Sequence, residues 1–389
     1  MSIEIDPIVL LGINFFPFKK ENYILATQKL EKIMEQLHTL FDLGIKKSSL
    51  AERKLEITHP KTQIVALPGS GASSLIFKTL SLLKPSTYLY IDLNDYRIDK
   101  KALETNLHAF CEEKKIQTLA LEGFDGSFEL PPLPQIILSN VRALELEHFE
   151  TLYLMPLDFE EFLALDNRYD SMDTALSHFL QIGGFPELIQ IPQANRQRYL
   201  QSLLKLALSP LELAIMAYAS RQLGHKASPF QIFERLKQDM KLSKDNFYKT
   251  FYELIEKRWI LWLEKYEHPK ATKKIYMIDF AIKGALSFNK NFSKLFESLI
   301  FLELTKAGNE LYYDEGIDFY LPQEDRVVLA LPFVNDSSLF TIMEKIEGWL
   351  IHNGVQKMEV VTMNSESQLH HPFLTVEMIP FTRWALIES

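Results

Sequence analysis

A glycine-rich turn is the first group of residues whose types and spacing could do chemistry. It reads Ala66-Leu67-Pro68-Gly69-Ser70-Gly71-Ala72-Ser73-Ser74 and joins a short apolar run to a segment with helical spacing. Backbone N–H groups of such a turn can surround phosphates, while a lysine supplies charge and a Ser or Thr hydroxyl holds magnesium. The turn therefore predicts weak ATP binding through Gly69, Ser70, Gly71, Ala72, Ser73 and Ser74. The same residues are also compatible with a simple turn that caps a helix and holds no ligand.

The charged partners of a nucleotide site are incomplete. Ser73 stands where a magnesium-binding hydroxyl belongs, but Ala72 stands where the lysine belongs. Lys78 lies six residues further on, about 9 Å along a helix and on another side of it, so it cannot replace that lysine. Active enzymes also place two carboxylates at the end of a neighbouring strand. Only Glu122, followed by Gly123, is present here, so Ser73 and Glu122 are the candidate magnesium ligands and enzymatic hydrolysis is not expected.

A second set of carboxylates occurs near the end of the chain. Glu297 lies in a helical segment and Asp318 in a predicted strand. These two residues resemble the pattern of PD-(D/E)XK nucleases, which also carry a third carboxylate and a lysine on the next strand, to hold the metal and to stabilise developing negative charge. Ala330 and Pro332 occupy those two positions. We therefore expect Glu122, Glu297 and Asp318 to be remnants rather than catalytic residues, with Glu297 and Asp318 repelling each other.

Positive charge is concentrated in one segment. Residues 226–274 contain 12 Lys or Arg against 7 Asp or Glu, within a chain of net charge −9. Ser243 can cap a helix that carries Lys244 and Lys249, and Lys273 and Lys274 lie in a predicted hairpin. Three helices and a hairpin outline a winged helix, so these four lysines are candidates for contacts to the phosphates of double-stranded DNA. Winged helices also pack against protein partners, and that alternative stays open.

The hydrophobic pattern predicts how these groups are held. Apolar residues at three- and four-residue steps predict a helix over 22–60, and strands that alternate with helices predict a parallel α/β layer from 61. The predicted fold class is α/β: a P-loop parallel-sheet core, a winged helix and a C-terminal α/β domain. The predicted units are an N-terminal helical segment 1–60, a core 61–165, a helical lid or connector 166–200, a winged helix 201–285 and a last domain 290–389.

The order of these segments resembles a family of prokaryotic AAA-type ATP-binding proteins with a P-loop core, a winged helix and a C-terminal domain like the PD-(D/E)XK nucleases. The resemblance covers nearly the whole chain. It is carried by five strings in the same order as in the family: 88–95 with Arg97, 154–163, 183–187, 275–279 and 379–386. Family members ordinarily carry the P-loop lysine, an Asp-Glu pair and a glycine near Ser139-Asn140, which this chain lacks. The resemblance implies a fold and an ancestral ATP site.

Length and composition set the remaining limits. A chain of 389 residues with 47% apolar side chains can form two or three packed domains, and its single cysteine excludes a disulfide framework. An acidic start and the lack of a long uninterrupted apolar stretch predict a cytoplasmic protein with no membrane partner. The first hypothesis is a non-hydrolysing regulator or scaffold that binds DNA or protein. The second is an active ATPase with a non-standard P-loop, and the third is a nuclease with relocated ligands.

Overall fold

The computed structural model describes residues 34–45 and 53–388. A helix, α1, covers 34–43, and Gly44 follows it with a φ of 55°, in the left-handed region that ends helices. Residues 53–60 are not helical, so the helix predicted over 22–60 does not continue there. The physical reason is that Arg53 and Lys54 bind side chains of a distant helix instead of continuing a helical stripe. The parts of that prediction at 22–33 and 46–52 lie outside the described residues.

A parallel five-stranded sheet forms the first part of the fold. Its strands are β1 (Lys61–Ala66), β2 (Tyr88–Asp92), β3 (Thr118–Glu122), β4 (Gln135–Asn140) and β5 (Glu150–Leu154), in the order β2-β3-β4-β1-β5. Helices α2 (Ala72–Ser81) and α3 (Lys100–Lys114) follow the first two strands, and a 3-10 turn (Pro85–Thr87) precedes β2. Apolar side chains of β1 to β4 are buried on both faces, as an internal parallel sheet requires. The predicted parallel α/β core is confirmed.

Helices dominate the middle of the chain. They are α4 (Phe159–Leu165), α5 (Met172–Ile182), α6 (Pro186–Gln190), α7 (Gln193–Ala207), α8 (Pro210–Arg221), α9 (Pro229–Asp239) and α10 (Lys244–Glu256). Their starts are set locally, since Ser209, Ser228 and Ser243 each accept a backbone hydrogen bond in the first turn of the helix that follows. The amphipathic pattern of α10 buries Phe247, Phe251 and other apolar residues while it leaves a polar face outward.

A nine-stranded sheet unites the rest of the chain. Its strands are β6 (Lys226–Ala227), β7 (Ile260–Lys265), β8 (Lys273–Met277), β9 (Tyr312–Asp314), β10 (Ile317–Leu321), β11 (Arg326–Ala330), β12 (Lys357–Thr362), β13 (Ser367–His370) and β14 (Thr375–Pro380). The order is β13-β14-β12-β11-β10-β9-β7-β8-β6. The accompanying helices are α11 (Ala281–Leu286), α12 (Phe292–Lys306), α13 (Asp336–His352) and α14 (Phe381–Glu388), with a 3-10 turn at Pro322–Glu324.

One pairing in this sheet joins the hairpin of β7 and β8 to the C-terminal strands. Strand β7 of the hairpin pairs in parallel with β9, where Glu264 and Lys265 align with Tyr312 and Tyr313. The sheet therefore runs across the boundary predicted between 201–285 and 290–389. One continuous apolar core also extends from Leu67 to Ala385 and includes residues of the helical middle. Among the described residues, no helix combines the length and the apolar character that crossing a bilayer needs.

Candidate functional site

The glycine-rich turn joins β1 to α2 in a geometry that needs its glycines. Gly69 and Gly71 have φ angles of 84° and 93°, which other residues rarely adopt. Gly71 is the residue before α2, and no side chain caps the helix. The N–H groups of the first turn, from Ala72 to Ser74, are therefore available to an anion. Ser70 is buried, and its hydroxyl has no hydrogen-bond partner within the described chain.

Ser73 and Glu122, predicted as magnesium ligands, lie in direct contact. The Ser73 hydroxyl donates to Glu122 Oε2 at 2.9 Å, and the Tyr90 hydroxyl donates to Glu122 Oε1 at 2.9 Å. Burial, together with the charge of Asp92, raises the pKa of Glu122 although both hydroxyls favour its charged form. The carboxylate therefore has a hydroxyl donor on each oxygen. The part of Tyr90 in this site was not predicted from the sequence. The available signal was its position in β2, two residues before the carboxyl end of that strand.

Among the described residues, the basic side chains near this turn are engaged with other partners and do not replace the missing lysine. Arg53 is the nearest candidate, since its Nη1 donates to the Ser70 carbonyl at 2.7 Å. Its Nε donates to Glu161 at 2.9 Å and its Nη2 to the Met155 carbonyl at 2.6 Å, so all three nitrogens are engaged and the side chain is buried. Lys78 pairs instead with Glu56 at 3.7 Å. Arg53 holds the turn against the end of β5 and the start of α4, a role that its sequence surroundings did not indicate.

Three of the segments that carry the family resemblance, 154–163, 183–187 and 275–279, contact one another beside the glycine-rich turn. The Leu157 N–H donates to the Gly184 carbonyl at 2.7 Å, and the Gly184 N–H donates to Asp279 Oδ2 at 2.6 Å. Asp279 also accepts from the Ala281 N–H at 2.7 Å, and its burial raises its pKa to about 7. A Cβ on Gly183 would lie 2.2 Å from Asp279 Oδ1, so only glycine fits at this contact. Asp279 therefore joins the turn between α5 and α6 to the segment between β8 and α11.

A lysine lies between the two carboxylates of the C-terminal part. Lys274 Nζ donates to Glu297 Oε1 at 2.8 Å and to Asp318 Oδ1 at 3.3 Å, and the Tyr276 hydroxyl donates to Glu297 Oε1 at 2.7 Å. Lys294 also pairs with Glu297. Burial would raise the pKa of Glu297, but the charges of Lys274 and Lys294 hold it below its ordinary value. Burial and the charge of Glu297 raise the pKa of Asp318.

These contacts correct two expectations from sequence. Lys274 was expected on DNA phosphates, but it is buried and its Nζ binds the carboxylates of Glu297 in α12 and Asp318 in β10. Glu297 and Asp318 were expected to repel each other, and the charge of Glu297 does raise the pKa of Asp318, but Lys274 donates to both carboxylates and opposes that repulsion. The Ala330 N–H donates to Asp318 Oδ2 at 3.0 Å, and Pro332 lies beyond the end of β11. Within the described residues, no three Asp, Glu, His or Cys side chains are grouped as metal ligands.

The other three lysines that were predicted to contact DNA phosphates lie in two different environments. Lys244 and Lys249 are exposed on the outer face of α10, and no ion pair is formed by either with the described residues. Lys273 pairs with Glu264, and its Nζ lies 4.8 Å from the centroid of the Trp262 ring, so its charge is already matched. Because β7 pairs with β9, the hairpin is built into the sheet. Lys244 and Lys249 therefore leave exposed positive charge on α10.

Comparisons with known proteins show what the chain is similar to. No protein-family model matches it. An uncharacterized protein of Methanocaldococcus jannaschii is 24% identical over a gapped alignment of 432 positions, which covers 92% of this chain and 96% of that protein. The Walker-type ATPase of Pyrococcus abyssi is 14% identical with a TM-score of 0.42, over 67% of this chain and 94% of that one. The ORC1 protein of Aeropyrum pernix in complex with DNA is 12% identical with a TM-score of 0.30, over 67% of this chain and 91% of that one.

Proposed function

We propose that this protein is an ATPase-derived regulator or scaffold that does not hydrolyse nucleotide at an enzymatic rate and that binds DNA or a protein partner. In this proposal the parallel core is a degenerate P-loop domain, α8 to α10 with β7 and β8 form a winged helix, and the last part is a PD-(D/E)XK-like domain without a catalytic set. The observation that carries it is that Ala72 replaces the lysine, while Arg53 and Lys78 are held by other partners.

The residues present fit weak nucleotide binding better than hydrolysis. The uncapped N-terminus of α2 offers N–H groups to phosphate, and Ser73 with Glu122 would hold magnesium, which would neutralise phosphate charge. Loss of one group that stabilises the transition state typically costs a factor of about 10² to 10³ in rate. Two such groups are missing, namely the lysine and the second carboxylate after Glu122. Binding through the backbone is compatible with their absence, and rapid turnover is not.

Calorimetric titration of ATP with and without magnesium tests this proposal. We expect a Kd no tighter than high micromolar, and phosphate release indistinguishable from that of Ser73→Ala. Ala72→Lys should tighten binding, because it restores a charge at the N-terminus of α2. Turnover of about 1 s⁻¹ or more that Ser73→Ala abolishes would refute the proposal and establish the second hypothesis, an active ATPase with a non-standard P-loop.

DNA binding is assigned to the outer face of α10. Lys244 and Lys249 are exposed there, whereas Lys273 and Lys274 are bound to carboxylates, so roughly two phosphate contacts are expected. Duplex affinity should then fall with salt with a log–log slope of about −2. The double variant Lys244→Glu/Lys249→Glu should abolish duplex binding. The control double variant Lys101→Glu/Lys345→Glu, which changes two exposed lysines outside α10, should not. No duplex binding at low salt would favour a protein partner for this face.

Nuclease activity, the third hypothesis, is disfavoured by the contacts of Lys274. A magnesium ion at Glu297 and Asp318 would have to displace the ammonium group that bridges them. Glu303 and Glu315, which could have supplied a further carboxylate, are bound elsewhere: Glu303 accepts from the Phe159 N–H at 2.9 Å, and Glu315 pairs with Lys226. We expect no cleavage of single- or double-stranded DNA with magnesium or manganese. Cleavage that Asp318→Asn abolishes would contradict this part of the proposal.

A further inference from the structure

Exposed phenyl rings surround the start of α12. Phe288 is 98% exposed in the connection before the helix, and Phe333, beyond β11, is 78% exposed. Phe292, in the first turn of α12 and 39% exposed, stacks on Phe333 with ring centroids 5.4 Å apart and an interplanar angle of 24°. Phe292 also stacks on the buried ring of Phe296, which anchors the pair to the core. Two rings from separate segments are thus packed together at the surface, and a third exposed ring precedes Phe292 by four residues in the chain.

The charge around these rings is positive, unlike that of the chain. Residues 280–296 contain Lys283, Lys290 and Lys294 and no Asp or Glu, although the whole chain has a net charge of −9. Lys294 is paired with Glu297 and Lys283 is buried, so Lys290 is the exposed charge. The first exposed carboxylate after Phe333 in the sequence is that of Asp336. It accepts a hydrogen bond from the Ser367 hydroxyl at 3.0 Å. Exposed phenyl rings and a lysine therefore alternate along 288–292.

A groove of about 470 Å³, lined by both apolar and polar residues, adjoins this segment and shares Lys290 with it. Its wall carries the amide side chains of Gln181, Gln193 and Gln197 and the guanidinium of Arg196. Among the described residues, no Asp or Glu lines it. Arg196 is held in place, since its Nε donates to the Ile191 carbonyl at 2.8 Å and its Nη1 lies 2.7 Å from His178 Nε2. The groove thus offers amides and cations without carboxylates.

We infer that the groove and the rings of Phe288, Phe292 and Phe333 together form a binding site for single-stranded nucleic acid, separate from α10. Phenyl faces stack on bases only when the bases are unstacked, which favours a single strand over a duplex. Cations next to the rings contact the phosphates, and amides can hydrogen-bond to base edges. A groove without carboxylates in an acidic protein is complementary to a polyanion. The inference is independent of nucleotide binding at the glycine-rich turn.

Fluorescence anisotropy with labelled oligo-dT of about 20 nucleotides, at about 50 mM salt, tests the site. Phe288→Ala and Phe333→Ala should each weaken binding by about tenfold, and Lys290→Glu by a similar factor. Both rings are highly exposed, so these changes leave the core intact. Phe373→Ala, another exposed ring, and Lys345→Glu should change the affinity by less than about twofold.

The α10 variant separates this site from the proposed duplex contact. Lys244→Glu with Lys249→Glu should leave oligo-dT affinity within about twofold, while it abolishes duplex binding. Absence of oligo-dT binding would overturn the inference. So would equal losses in the ring variants and the Phe373→Ala control, or binding that the ring variants do not change, because each would mean that the exposed rings serve another partner.

Discussion

Replacement of Lys274 by methionine tests the central contact of the C-terminal part. The substitution preserves the length and the apolar stem of the side chain but removes the ammonium group that binds Glu297 at 2.8 Å and Asp318 at 3.3 Å. Glu297 is 3% exposed and Lys274 is 6% exposed, so water cannot replace the lost charge easily. The variant therefore leaves two neighbouring carboxylates with only Lys294 as a cation.

The expected loss of stability follows from the burial of this group. Removal of one member of a buried ion pair typically costs about 3 to 5 kcal/mol, because the remaining charge stays desolvated. Lys294 still pairs with Glu297, so we expect about 3 kcal/mol for Lys274→Met. Lys273 is the matched control: its partner Glu264 is substantially exposed, and such a pair contributes under about 1 kcal/mol. The two adjacent lysines should thus differ by about 2 kcal/mol or more.

Equilibrium unfolding in urea at neutral pH, followed by tryptophan fluorescence, measures this difference. Glu297→Gln with Asp318→Asn, added to Lys274→Met, should restore much of the stability because no uncompensated charge remains. In Lys274→Met alone, the pKa values of both carboxyl groups rise above their unfolded values, so the loss should shrink as the pH falls toward 5. Equal losses in Lys274→Met and Lys273→Met would refute this account of the buried triad.

Two further predictions concern other buried groups. Burial raises the pKa of Glu303 to about 8 and that of Asp279 to about 7. The folded state therefore keeps protons on these carboxyl groups that the unfolded state releases. The free energy of unfolding should fall as the pH rises from about 5 to about 8. Glu303→Gln should flatten this decline in urea unfolding, and an unchanged slope would contradict it. Gly183→Ala should cost about 2 kcal/mol or more, because its Cβ would meet Asp279 at 2.2 Å and φ is 75°. Gly348→Ala, in α13 with nothing within 4 Å, should instead be neutral or stabilising, and equal effects in a thermal melt would contradict the steric argument.

Local patterns were sufficient for the elements that depend on near neighbours. Alternation of strands and helices predicts the parallel core, because such crossovers require it, and Ser243 predicts the start of α10 through its hydrogen bond to the Asn246 N–H. The sequence also predicts Ser73 and Glu122 as ligands of one magnesium ion, although not their direct hydrogen bond. The carboxyl ends of the parallel strands β1 and β3 lie at the same edge of the sheet, with β4 between them, so the helix that follows β1 places Ser73 near Glu122.

Contacts between distant segments depended on the tertiary structure. Lys274 belongs to a basic segment typical of DNA-binding surfaces, and only the folded chain brings it to Glu297 and Asp318, which are 23 and 44 residues away in sequence. Arg53 reaches Glu161 across 108 residues, so no local periodicity could indicate that contact. Burial decides the charge of such groups, and burial depends on which elements pack together rather than on the residues beside them in the chain.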